Sequence, residues 1–222
     1  MNLEPTLAVP DAAVLLAFAG AGLILLVTPG PDMTLMLSRT LARGRASGFA
    51  CTTGAMTGIV VHTVLAAVGV SALLAASPRG FAILKLAGAL YLGWLAVQAI
   101  RHGTVGDLDL AGARSAPRRG GLWRDYATGV TINLLNPKVV LFFVTFLPQF
   151  VSADDPRAPG KLMFLGLMFV AMALPSLFAM VLAADRFARA LTSNPKVARA
   201  IDWLFATIFG AFAVRILLAR AD

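Results

Sequence analysis

The residues most able to bind a small polar solute lie where two long apolar stretches are interrupted. The first interruption is Thr28-Pro29-Gly30-Pro31-Asp32. These residues cannot continue a helix, because two amide donors are missing and the proline rings clash with the preceding turn. If the stretch crosses a bilayer, the freed backbone groups need protein or a water-filled cavity around them. The pattern predicts a pathway lined by Pro29, Gly30, Pro31 and Asp32, with a simple proline kink as the alternative.

The second interruption is Asn136-Pro137-Lys138. Asparagine is favoured as a helix N-cap and proline at the first helical position, so a new half-helix is predicted to begin at Pro137, as another begins at Pro31. Each helix start carries roughly half a positive charge and free amide donors, which suit a carboxylate. Asn133 and Thr131 are candidate polar lining just before this break, with ordinary helix packing as the alternative.

Asp32 and Lys138 have opposite charges and stand beside the two breaks. A lone charge at the centre of a bilayer costs at least about 2.5 kcal/mol, so pairing or hydration is expected for both. Asp32 is the candidate carboxylate for coupling transport to protons. A static ion pair between Asp32 and Lys138 is the equally open alternative.

A weaker set of candidates lies on the next apolar stretch. Gly54, Gly58 and His62 are spaced four residues apart and share one helix face. The glycines allow another helix to approach closely. His62 could titrate during transport, although a neutral histidine bonded to a neighbouring helix is the favoured interpretation.

The composition places all these residues in a membrane protein. The chain of 222 residues is 59% hydrophobic and only 14% charged, with a mean hydropathy of +0.81. No Lys, Arg, Asp or Glu occurs between Arg45 and Arg79, or between Lys161 and Asp185. Each of these runs is long enough to cross a hydrocarbon core about 30 Å thick as a helix. The net charge of +8 is explained by basic loops between the spans, so no nucleic-acid partner is expected.

The hydropathy pattern predicts an all-α protein that crosses the membrane six times, with the first and fourth helices broken at mid-membrane. The predicted spans run over residues 12–38, 47–76, 81–100, 126–151, 162–184 and 199–218. Twelve Lys and Arg residues fall in the loops after the first, third and fifth spans, against four on the opposite side. The loops after the first, third and fifth spans should therefore be cytoplasmic, and both termini outside.

The order of these features suggests one transmembrane domain, residues 1–222, built from two related halves. The first repeat covers about 11–101, a basic cytoplasmic loop covers about 102–124, and the second repeat covers about 125–220. With three spans in each half, the second half must be inverted relative to the first, which is a recurring plan among transporters.

In this ordered set of motifs the chain resembles the LysE/RhtB family of bacterial amino-acid exporters. The matching elements include Pro29-Gly30-Pro31, the Arg43-to-Gly48 turn, Gly54, the Lys85-to-Leu92 stretch and Asn133-Leu134-Leu135-Asn136-Pro137-Lys138. The resemblance implies a multi-pass protein of the bacterial inner membrane that exports amino acids or their derivatives, driven by protons. It implies a pathway lined by Pro29, Pro31, Asp32, Asn133, Asn136, Pro137 and Lys138. No acidic cluster suited to a cationic side chain is evident, so lysine is not the favoured substrate.

Other functions are less well supported. Two histidines and one cysteine make a metal pathway or a disulfide framework improbable. The sequence contains no Walker-type phosphate loop and no evident pairing of a nucleophile with a base. We therefore expect no enzyme, no cofactor and no resident metal, and take the lipid bilayer, an amino-acid-like solute and protons as the partners. A membrane scaffold with basic docking loops is the alternative, and the sequence leaves open whether the chain forms a homodimer.

Overall fold

In the computed structural model of the chain, residues 9–102, 121–152 and 155–218 are described. Within these ranges every regular element is helical, which confirms the all-α prediction. Most of the basic loop predicted at 102–124 lies outside the described residues, as does Asp154.

The first predicted span is two helices. Helix α1 covers Ala12–Val27, helix α2 covers Pro31–Arg43, and their axes are bent by 51°. The Thr28 hydroxyl donates to the Ile24 carbonyl oxygen at 2.6 Å and closes the last turn of α1. Gly30 is fully extended and Pro31 is the first residue of α2. The break therefore lies where the prolines predict it.

The fourth predicted span is broken in the same way. Helix α5 covers Leu122–Leu135 and is followed by α6, Pro137–Leu141. A π-helical turn, Phe142–Phe146, and a 3₁₀ turn, Leu147–Phe150, complete the segment. The axes of α5 and of the segment from Pro137 to Phe150 differ by 52°. As predicted, the Asn136 side chain caps the new helix by accepting a hydrogen bond from the Lys138 amide at 3.1 Å.

The remaining helices are longer or lie between spans. They are α3, Arg45–Ala76; α4, Pro78–His102; α7, Ala158–Leu182; α8, Ala184–Ser193; and α9, Pro195–Leu218. Helices α3, α4 and α7 are long and apolar enough to cross a membrane, and the count rises to five if each bent pair is one span. Helix α9 coincides with the sixth predicted span but is not among these five, so the six-span inverted repeat stays a prediction.

Close packing of α3 against α5 positions the two breaks. A Cβ atom added to Gly54 would collide with the Tyr126 carbonyl oxygen, and one added to Gly129 would collide with the Cys51 carbonyl oxygen. The two helices therefore touch through their backbones, as the glycine spacing on α3 predicted. The opposite part of the core is a cluster of buried phenylalanines on α1, the π-helical turn and α7: Phe18, Phe142, Phe143, Phe146 and Phe169.

Candidate functional site

The two breaks meet at the centre of the candidate site. The Asn136 side-chain amide donates to Asp32 Oδ2 at 2.9 Å, and Lys138 Nζ donates to the Thr28 carbonyl oxygen at 2.6 Å. Thr28 precedes the Pro29-Gly30-Pro31 break, so its carbonyl lacks the partner that a continuing helix would supply. Side chains of the second break therefore form hydrogen bonds with acceptors at the first break.

Two amides from α5 and its end hold the Asp32 carboxylate. Asn133 and Asn136 both donate to Oδ2, each at 2.9 Å. The other carboxylate oxygen, Oδ1, is buried and has no hydrogen-bond partner, and the same is true of Asn133 Oδ1. Two buried acceptor atoms at the site therefore have no hydrogen-bond partner in the protein.

Asp32 and Lys138 share the site without a direct contact. In the described part of the chain, the ion pairs shorter than 4.0 Å join Asp125 to Arg39 and Arg43, and Asp155 to Lys161. The Asp32 carboxylate binds amides, and the Lys138 ammonium binds a backbone carbonyl. The sequence left open whether Asp32 forms a static ion pair with Lys138 or couples transport to protons. The structure does not show a direct ion pair between these two residues.

A cavity of about 60 Å³ opens beside these groups. Its polar wall is Thr28, Gly30, Asp32, Asn133, Asn136 and Lys138. Apolar side chains from α2, α3 and α7 form most of the remaining wall, among them Met33, Met36, Met56, Ile59, Phe169 and Leu177. One charged and hydrogen-bonding end opposite an apolar wall suits an amphipathic solute, and the cavity must widen to admit one, since ligand pockets usually measure about 300–1,000 Å³.

The secondary candidates on α3 have different positions. Gly58 lies against the Asn133 side chain, where a Cβ would collide with Oδ1. His62 is buried, its Nε2 lies 3.4 Å from the Asn133 carbonyl oxygen, and its ring stacks on Phe143 at 5.8 Å. Gly58 and His62 therefore position Asn133. Gly54 contacts α5 nearer the start of that helix, at Tyr126.

The prolines shape the backbone more than they line the cavity. Pro31 and Pro137 are exposed first residues of α2 and α6, while Pro29 is buried in the break. Thr131 is exposed, and its hydroxyl bonds to the Ala127 carbonyl oxygen within α5. In residues 9–102, 121–152 and 155–218, no group of three or more metal-binding side chains occurs.

Two features of the site and one charge outside it were not predicted from the sequence. The Thr28 carbonyl is the unexpected partner of Lys138. Cys51, Ala55 and Ile59 form a further part of the cavity wall, and their four-residue spacing marks one face of α3. Asp125 was also overlooked. It is fully buried, and its Oδ1 accepts from Arg43 Nη1 at 2.5 Å.

Comparison with known proteins identifies a family to which the chain is similar. The family profile described as LysE type translocator matches residues 23–220. The homoserine/homoserine lactone efflux protein of Salmonella typhimurium is 30% identical over 198 residues, covering 89% of this chain and 92% of the relative. The leucine efflux protein of Klebsiella pneumoniae is 30% identical over 201 residues, covering 89% and 91%. An uncharacterized membrane protein of Vibrio cholerae is 28% identical over 211 residues, covering 95% and 100%. No solved structure matches the chain.

Proposed function

The chain belongs to the LysE type translocator family, and on that premise we propose that it exports amino acids with uncharged, mainly apolar side chains in exchange for protons. The family membership confirms the resemblance predicted from the sequence. It makes this multi-pass membrane protein a transporter and not an enzyme, since the relatives named by function are efflux proteins. The kind of amino acid and the proton coupling are the parts that we propose.

The observation that supports amino-acid export is a cavity lined by both a carboxylate, Asp32, and an ammonium group, Lys138, beside buried acceptor atoms that have no partner. Asp32 Oδ1 and Asn133 Oδ1 are buried without partners, and buried acceptors of this kind are costly unless a ligand satisfies them. An α-ammonium group supplies three donors. The α-carboxylate would bind Lys138, whose ammonium lies on the same cavity wall. A zwitterionic amino acid therefore matches both charges of the site.

The rest of the cavity wall supports an apolar side chain. Met33, Met36, Met56 and Leu177 line it, and flexible methionines adapt to several apolar shapes. Among the described residues of the wall, Asp32 is the only carboxylate, so after it binds the α-ammonium group none of them is an acid that could bind a cationic side chain. The leucine efflux protein among the relatives is named for a substrate of this class.

Proton coupling is proposed on Asp32. A proton on Oδ1 and the substrate ammonium group would occupy the same place, so binding of one would release the other. The charged and titratable groups around Asp32 are Lys138, from the second break, and His62, from α3. Alternating loading of Asp32 with proton and substrate gives antiport.

The membrane arrangement belongs to the same proposal. Two breaks with bends of 51° and 52°, joined through reciprocal hydrogen bonds, support two inverted repeats around a central site. We place the protein in the bacterial cytoplasmic membrane with both termini outside, because the basic loops favour the cytoplasmic side.

The test is transport by the purified protein in liposomes with an imposed pH gradient. We expect gradient-driven transport of leucine and methionine, and little transport of lysine. Asp32→Asn should abolish the response to the pH gradient while the protein still inserts, whereas Asp11→Asn, which removes an exposed carboxylate before α1, should not change it. An unchanged pH response in Asp32→Asn would remove Asp32 from the mechanism. Failure to move any amino acid in a broad panel would favour the scaffold alternative.

A further inference from the structure

The strongest feature outside the central site is a cluster of three charges, two of them buried, where α2 ends and α5 begins. Asp125, in the first turn of α5, is 0% exposed. Its Oδ1 lies 2.5 Å from Arg43 Nη1 and 3.7 Å from Arg39 Nε, both near the end of α2. The Arg43 side chain is 5% exposed. We infer that this cluster is an ion-pair gate that closes the substrate cavity on the side of the basic loops. The inference rests on the proposed transport function.

The cluster and the central site lie on the same two helices. Helix α2 carries Asp32 at its start and Arg43 at its end, about 16 Å apart at 1.5 Å per residue. Helix α5 carries Asp125 at its start and Asn133 about 12 Å further along. A change that separates α2 from α5 at the charged end would therefore also disturb the hydrogen bonds around Asp32.

The cavity lies between the cluster and the breaks. Met36, Cys51 and Thr52 line it, and they lie on the parts of α2 and α3 that lead from the breaks toward Arg43 and Arg45. In the other direction, Phe169 lines the cavity and packs against Phe142 and Phe143, with ring centroids 5.3 and 6.0 Å away. Aromatic packing thus borders the cavity at Phe169, and the Arg39–Asp125–Arg43 cluster lies beyond the cavity wall, at the ends of α2 and α5 that point away from the breaks.

The energetics of the cluster suit a gate. Taking a carboxylate and a guanidinium out of water costs nearly as much as their attraction returns, so a buried pair adds little net stability. Separation of α2 and α5 would return both groups to water, and the open and closed states can then be close in free energy. Asp125 Oδ2 is buried without a partner, so hydration on opening also recovers that cost. Removal of the Asp125 or Arg43 charge weakens the attraction that holds the end of α2 against the start of α5, which favours the open state.

Cys51 provides a built-in reporter for the gate. It is the single cysteine of the chain, is 2% exposed and lines the cavity. The test is the rate at which a membrane-impermeant maleimide modifies Cys51 in vesicles of each orientation, without substrate or gradient. Cys51→Ala identifies any labelling that is not at this residue.

We expect slow labelling of the unmodified protein, and labelling at least about tenfold faster in Asp125→Asn and Arg43→Gln from the basic-loop side only. The exchanged pair, Arg43→Asp with Asp125→Arg, should return the rate toward that of the unmodified protein, which general loosening would not do. Arg45→Gln, which removes an exposed charge at the start of α3, is the matched control and should label slowly.

Equal labelling of the unmodified protein and both single variants would overturn the gate, as would an exchanged pair that labels as fast as the single variants. If Asp125→Asn does not fold, Arg43→Gln is compared with Arg43→Lys, because the lysine keeps the positive charge at position 43 and the glutamine does not. Equal rates in those two would overturn the proposal. Since labelling needs no substrate, the predicted pattern in a protein that moves no amino acid would refute amino-acid export and leave the gate in place.

Discussion

Gly54 is the position where the packing of α3 on α5 gives the sharpest prediction. A Cβ atom at Gly54 would overlap the Tyr126 carbonyl oxygen and lie 2.9 Å from both the Tyr126 carbonyl carbon and the Val130 amide nitrogen. All three are backbone atoms, so no side-chain rotation can relieve the contact. Gly54→Ala should therefore push the whole of α5 away from α3.

The size of the effect follows from two opposing contributions. Inserting a methyl group into a packed contact costs about 1–3 kcal/mol, while alanine is better than glycine within a helix by up to about 1 kcal/mol. Gly69→Ala, also in α3, isolates the second contribution, because a Cβ there meets no atom within 4 Å. The difference between these two variants should be about 1–3 kcal/mol, or roughly 2–12 °C in the unfolding midpoint for a chain of this size.

The assay is thermal unfolding of both purified variants in the same detergent, followed by the fluorescence of the three tryptophans. Transport by Gly54→Ala should fall as well, because Asn133 lies two turns beyond Tyr126 on α5 and loses its place beside Asp32. Equal midpoints for Gly54→Ala and Gly69→Ala would refute the close backbone contact between α3 and α5.

Two further predictions concern single side chains. Lys138→Met should weaken competition by leucine for transport roughly 10- to 100-fold, the value of a charge-assisted hydrogen bond. Competition by leucine amide, which has no carboxylate, should be nearly unchanged. Equal losses for both compounds would contradict a role of Lys138 in carboxylate binding. Outside the spans, the hydrogen bond from Lys161 and then the one from the Arg157 amide hold the pKa of the Asp155 carboxyl below its usual 3.8. The stability that Asp155 adds is therefore present above its ordinary pKa and is lost as the pH falls through the lowered value. Asp155→Asn should be less stable than the unmodified protein at about pH 7, by under about 1 kcal/mol for a pair near the surface. In unfolding measurements the difference should shrink as the pH falls below the ordinary pKa of 3.8, and a difference that does not shrink would contradict the assignment.

The breaks could be predicted from sequence because the effect of proline is local. Pro31 and Pro137 remove a donor and fix a backbone angle wherever they occur, so α2 and α6 begin at those residues. The cap on α6 followed from Asn136 for the same reason. The meeting of the two breaks is seen in the bonds of Asp32 to Asn133 and Asn136.

The partners of the charges could not be predicted in the same way. Opposite charges at matching positions suggested a bond between Asp32 and Lys138, but each side chain found a nearer partner: amides for one, and the Thr28 carbonyl for the other. Asp125 was missed because its burial depends on contact with Arg43, 82 positions away in the chain. Nothing in the local sequence distinguishes Asp125 from an exposed acid at a helix start.

The location of the unsatisfied polar atoms argues that α2 and α5 are the moving parts of the protein. In the described part of the chain, four buried side-chain oxygen atoms lack a hydrogen-bond partner: Asp32 Oδ1, Asp125 Oδ2, Asn133 Oδ1 and Gln149 Oε1. Three of them lie on α2 and α5, at the central site and at the charged cluster. A kinked helix with only a packing role gains nothing from such atoms, since each costs about 1–3 kcal/mol when buried. A site that exchanges a proton for an ammonium group, and a gate that opens to water, both need acceptors whose partners change during the cycle.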